Sequence, residues 1–194
     1  MEELVKVAME AGASTAELID SNKIVVDERV ILKCYVPRCD ACGKFLMCPP
    51  HVMSVKDFRE ILSRYQKALI VQIESEQDSL DKSGSLTDEK FFKEQMKILR
   101  NARLKLNELI DKIEKEAFKK GYAYAAGFSS GRCELCGGEE CPGLSDGICR
   151  HPFRGRPSME AVGIDVLRTA INAGLKVELS SGARVKFTGL VLIE

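Results

Sequence analysis

A chain of 194 residues, 45% of them hydrophobic and 30% charged, is long enough to bury a sizeable core, which excludes wholesale disorder. Its 29 basic residues balance its 29 acidic ones, so it lacks the positive field that non-specific nucleic-acid binding requires. No run is apolar enough to span a membrane and the start, MEELVKVAMEAGA, has no signal-peptide core; a cytoplasmic location is expected, where eight cysteines read as metal ligands rather than disulfides.

Residues 2–11 predict a short amphipathic helix with Leu4, Val5, Ala8 and Met9 on one face and Gly12 as its stop. Thr15–Asp20 reads as a strand and Ser21-Asn22 as a turn. From Ile24 to Val36, Ile24, Val26, Val30, Leu32, Cys34 and Val36 share one parity, which predicts a half-buried strand or hairpin with Cys34 facing the core. The loop PRCDACGKFLMCPPH follows. Ser54 then caps a helix to about Tyr65, with Val55, Phe58, Leu62 and Tyr65 as its apolar stripe. Ala68–Ile73 is a buried strand, and residues 74–88 a polar surface loop.

One long helix is predicted over 88–119, where Phe92, Met96, Leu99, Leu106, Ile110, Ile113 and Ala117 step by threes and fours, with Arg103 as a polar break. Its stripe suits packing across the protein's own sheet; the alternative is a coiled-coil seam in a homodimer. Tyr122–Phe128 reads as a strand leading into a second cysteine loop. A helix from Pro157-Ser158 to Gly174 and a closing hairpin over Lys176–Ile193, turning at Ser180-Ser181-Gly182, complete the chain. The fold class is α/β or α+β. A single domain over 1–194 holds a mixed sheet with helices, built as two strand–cysteine-loop–helix–strand units, pseudo-halves 1–87 and 121–194, joined by helix 88–119. If each unit is a right-handed crossover, the cysteine loops follow strand C-termini, where open sheets hold ligands.

All eight cysteines fall in two compact groups, Cys34, Cys39, Cys42 and Cys48, then Cys133, Cys136, Cys141 and Cys149. Two sets of four thiolates fit two [4Fe–4S] clusters, since a cubane takes ligands spread irregularly around a large object. Cys48-Pro49-Pro50 and Cys141-Pro142 add prolines that turn the chain away, and glycines such as Gly137 and Gly138 let backbone amides approach the sulfurs. Zinc is the competing cofactor; a single site shared by the Cys39/Cys42 and Cys133/Cys136 pairs would leave four cysteines idle. Arg132, Arg150 and His151 border the second group, with Arg154 and Arg156 beyond, and would stabilise an anionic cluster.

Cys48-Pro49-Pro50, the run from Cys133 through Cys149-Arg150-His151-Pro152, and Arg156 through Asp165 together resemble an uncharacterised family of predicted metal-binding proteins, mostly from anaerobic archaea and bacteria. That resemblance covers most of the chain and implies metal binding, with no substrate or reaction attached.

The residues themselves offer little for catalysis. Gly127-Phe128-Ser129-Ser130-Gly131 matches a hydrolase elbow, with Asp146 and His151 in order behind it, but a cysteine loop follows where a helix belongs. Cys133, Cys136 and Cys141 resemble a radical-enzyme spacing, yet Cys149 would fill the open iron. The leading expectation is an electron-transfer or redox accessory protein that meets a redox partner protein. The alternatives are an enzyme whose cluster acts on a small-molecule substrate, and a zinc-stapled interaction module.

Overall fold

The computed structural model describes residues 1–75, 89–177 and 185–194. Four strands, β1 (Thr15–Asp20), β2 (Lys67–Glu74), β3 (Ala126–Phe128) and β4 (Lys186–Ile193), form one sheet in the order β1-β2-β4-β3. Every neighbouring pair is antiparallel, with Leu69 opposite Val191 and Gly127 also opposite Val191. The five α-helices are α1 (Glu2–Glu10), α2 (Glu28–Tyr35), α3 (Val55–Leu62), α4 (Glu89–Lys119) and α5 (Val166–Asn172).

The central strands are apolar on both faces because both faces are covered. Leu69, Val71, Ile73, Val191 and Ile193 pack beneath α1 and α4, against Leu4, Ala8, Leu106, Ile110 and Ile113. Ala68, Ile70, Leu190 and Leu192 face the other way, onto Phe58 and Leu62 of α3, Met159, Ile164 and Ala170. Each of these large side chains gains about 1.5–3 kcal/mol from leaving water. The long helix lies so close to the sheet that a Cβ on Gly127 would come 2.2 Å from Ile110 Cγ2, and one on Gly189 2.6 Å from Ile110 Cδ1. From Leu99 to Ala117 its apolar stripe therefore packs across the sheet, as its periodicity predicts, whereas Phe92 is exposed and Met96 lines a cavity instead.

The mixed architecture, the long helix and the cap of α3 match expectation; Ser54 Oγ accepts the Asp57 N–H at 3.1 Å. Other local expectations need correction. Residues 28–35 form a helix, not a strand, because Asp27 caps it by accepting the Arg29 N–H at 2.9 Å. Cys34 consequently stands half-buried beside a cavity instead of facing the core. The strand before the second cysteine loop shortens to Ala126–Phe128. The helix expected from Pro157 breaks at Gly163, whose φ of 87° ends a 3-10 turn; Asp165 then caps α5, and Ile171 is exposed. With all three strand pairs of the sheet antiparallel, crossover units give way to a sheet whose centre, β2 against β4, pairs a strand from each pseudo-half. The expected turn at Ser180-Ser181-Gly182 and most of the polar loop 74–88 fall outside the described residues.

Candidate metal centre

The first cysteine loop runs from the end of α2 to the Ser54 cap of α3. Successive turns shape it: the Cys39 N–H donates to Cys34 O at 3.1 Å, Cys42 N–H to Cys39 O at 3.1 Å, and Cys48 N–H to Phe45 O at 3.0 Å. Cys34, Cys39, Cys42 and Cys48 thereby line one cavity of about 320 Å³, shared with Arg103, Arg132 and Glu160. The sequence grouping of these four residues is thus a spatial grouping.

The second loop leaves β3 through Gly131, whose φ of 64° turns the chain where a Cβ would meet Arg103 Nε at 2.6 Å. Here too the thiols are neighbours. Burial raises the Cys133 thiol above its ordinary value, and Cys149, Cys136 and Cys141 push it the same way, against a hydrogen bond from the Leu135 backbone. Cys136 is also raised, first by desolvation and then by Cys141 and Cys149. The His151 N–H approaches Cys149 Sγ at 3.4 Å, and a Cβ on Gly155 would sit 3.2 Å from the same sulfur. All eight thiols are free.

The two loops pack together. The Cys141 N–H donates to Lys44 O at 2.8 Å, and Cys141 packs on the small cluster of Ala41, Phe45 and Cys48. Gly143 leaves room for Ile148 O and Leu46, which a Cβ would meet at 2.3 and 2.8 Å. Burial pushes the Cys48 thiol up to about 12, with Cys39, Cys34, Cys133 and Cys42 adding to the shift. Cys48 therefore feels thiols of both groups. Among the described residues, no three Cys, His, Asp or Glu side chains converge to hold a metal ion directly. The donor set itself, free thiols with backbone N–H groups aimed at sulfur, suits soft metals and iron–sulfur ligation.

The cations divide in a way the sequence does not reveal. Arg132, although it precedes the second group in sequence, lines the cavity of the first, and its Nε donates to Glu134 at 3.0 Å. Arg150 lies near Cys136 and opposes the rise of that thiol, while its guanidinium holds Asp146 at 2.8 Å. His151 meets Cys149 through its backbone N–H. Arg154 and Arg156 instead turn to α4: Arg156 pairs with Glu114, whose Oε1 also accepts the Gly127 N–H at 2.7 Å. Burial raises the Glu114 carboxyl, and Arg156 counters that rise.

Two functional candidates escaped the sequence reading. Glu134, between the cysteines of Cys133-x₂-Cys136, has a side chain only 3% exposed and is held by Arg103 and Arg132 at 3.0 Å and by Arg100 at 3.8 Å. The polar break at Arg103 was the signal for it. Glu160 lines the first cavity and acts on Cys34, yet its position in an apolar run gave no cue. Ser129, the centre of the elbow-like match, is buried at 5% exposure, and its backbone bridges Pro157 and Met159. It serves the sheet edge.

A family model described as predicted metal-binding protein (DUF2284) matches residues 17–193. No curated protein and no solved structure matches the chain. Among the described residues, no helix is long and apolar enough to cross a membrane.

Proposed function

We propose that this chain, which belongs to the family of predicted metal-binding proteins, binds two [4Fe–4S] clusters and works in electron transfer or as a redox accessory protein. Cys34, Cys39, Cys42 and Cys48 would hold one cluster, and Cys133, Cys136, Cys141 and Cys149 the other. The observation that carries this reading is the gathering of eight free thiols into two groups in adjoining loops, the first around a cavity of about 320 Å³. A single zinc draws four sulfurs to about 2.3 Å of one point. A cubane spreads them around a larger body.

Such a cluster supplies one-electron exchange when bound. The chain's own residues hold the sulfurs apart, direct the Leu135 and His151 N–H groups at Cys133 and Cys149, and set Arg132 and Arg150 beside the two groups to offset negative charge. Free thiols fit a reducing, cytoplasmic setting, and a redox protein would be the partner. Anaerobic reduction followed by reoxidation, monitored by absorption and electron paramagnetic resonance, tests the reading. Reversible one-electron signals from two centres support it; a protein that holds zinc and has no reducible chromophore contradicts it.

A further inference from the structure

Away from the cysteine loops, a cavity of about 610 Å³ opens at the end of α3. Asp57, Glu60, Ile61 and Arg64 line it at i, i+3, i+4 and i+7, so they form one stripe along α3 and just beyond it, beside the buried stripe of Val55, Phe58 and Leu62. Tyr65, Tyr124 and Glu194 complete the lining. The Tyr65 hydroxyl donates to Tyr124 O at 2.6 Å, which ties the end of α3 to the turn before β3 and keeps both tyrosines on one cavity. Burial pushes that hydroxyl above its ordinary range, with Glu194 and Glu114 adding to the rise, so it stays protonated and keeps the tie.

The lining has a definite charge. Three carboxylates, Asp57, Glu60 and Glu194, stand against one guanidinium, Arg64, which leaves two net negative charges. The neighbouring cation Arg59 is committed to Glu28 at 2.6 Å, and Asp57 accepts the Ser54 hydroxyl, a neutral donor, at 2.7 Å. The same wall is apolar: Ile61 is 43% exposed and Tyr124 72% exposed.

These features select among ligands. Among the described residues, no three acidic, histidine or cysteine side chains converge to hold a metal ion, so the carboxylates here are too dispersed to form the ligand shell of a bare ion. A neutral apolar molecule would cover Ile61 and the tyrosine rings and leave the carboxylates unanswered. An organic cation does both, since a tyrosine face attracts an ammonium and Ile61 receives the apolar body. The volume suits one small molecule, because such sites span about 300–1,000 Å³.

We infer that this cavity binds a small organic amine, its ammonium among Glu60, Glu194 and Asp57 and its apolar body against Ile61, Tyr65 and Tyr124. None of the eight cysteines lines the cavity, so the site stands whichever metal the thiols hold.

Calorimetric titration of the full chain, purified without oxygen, with phenethylamine, 2-phenylethanol and methylamine tests it. The first two differ in charge, and the first and third in apolar body. Phenethylamine should bind at least about fivefold more tightly than 2-phenylethanol, as one ion pair of about 1 kcal/mol implies. It should bind at least about tenfold more tightly than methylamine, which leaves the apolar wall uncovered. Replacing both acids, Glu60→Gln with Glu194→Gln, should erase the preference for phenethylamine over 2-phenylethanol and leave the melting temperature unchanged, since both side chains are exposed. Phenethylamine without saturable binding at millimolar concentration, equal binding of either comparator, or a preference over the alcohol that survives the double substitution overturns the inference.

Discussion

The guanidinium carbon of Arg132 sits 5.2 Å from the centre of the Phe45 ring, so the residue that precedes the second cysteine pair is stacked on the first cysteine loop. The same side chain donates to Glu134 at 3.0 Å and lies 3.8 Å from Asp40. With the Cys141 N–H on Lys44 O, these contacts make the two loops one body resting on α4 through Arg103. A cation over an aromatic face contributes about 0.5–2 kcal/mol; Glu134 in turn ties the second loop to α4 through Arg100 and Arg103.

Glu134→Ala should therefore be costly. It would leave Arg103 and Arg132, with side chains 21% and 20% exposed, without their central anion. Breaking a buried pair in this way costs about 3 kcal/mol or more. Urea denaturation should show that loss, and metal analysis should show the second group emptied before the first. Unchanged stability would mean that solvent satisfies the arginines and that the cage is not structural.

Cys136→Ser addresses the grouping of ligands. Cys136 is the most exposed member of the second group and responds to Cys141 and Cys149. Its replacement should remove one metal centre and leave the other, so that metal per chain falls by about half. Metal content equal to that of the unaltered chain would show that Cys136 is not a ligand.

The fit of α4 on the sheet is testable at Gly127. A Cβ there would lie 2.2 Å from Ile110 Cγ2 and 3.1 Å from Glu114 Cδ. Gly127→Ala should push the helix away and destabilise the fold by about 1–3 kcal/mol, read as a lower urea midpoint. It should also loosen Glu114, which accepts the Gly127 N–H. An unchanged midpoint would place the helix farther from the sheet than described.

Much of this architecture was legible in the sequence, and the failures have physical causes. β1, β2 and α4 announced themselves because their apolar periodicity reflects real burial, as with Leu69, Ile70, Leu106 and Ile110. The alternation at 24–36 did not, since Leu32 and Val36 are 56% and 66% exposed and no residue of α2 is buried. Val30 with Cys34, and Leu32 with Val36, are also i,i+4 pairs, so the pattern fits a helix as well. Asp27 was the deciding signal, as a cap. Cysteine grouping was legible because each group is local. The Glu134 cage and the placement of Glu160 on the first cavity were not, because they depend on α4 and the 3-10 turn at Glu160–Val162 reaching loops distant in sequence.

Protons should compete with metal at the first group. Burial takes the Cys48 thiol from an ordinary 9.0 up to about 12, so the neutral thiol is the form the metal-free fold favours. That contribution is complete below pH 9.0 and disappears as pH rises through about 12. Ligation needs the thiolate and releases the proton, so metal affinity should rise with pH and metal should be lost on acidification. Thermal melts of metal-free protein should fall with alkaline pH, and Cys48→Ala should flatten that fall. Competition by a chelator at several pH values checks the metal-bound side; affinity that does not vary with pH would show that Cys48 and its neighbours do not ligate as thiolates.

The most direct test of the central claim is iron, acid-labile sulfide and zinc per chain, with an absorption spectrum, on protein purified without oxygen. Two cubanes predict about eight iron and about eight sulfide, with a broad band near ~400 nm. One or two zinc per chain, no sulfide and no colour would contradict the account and make the cysteine loops structural staples.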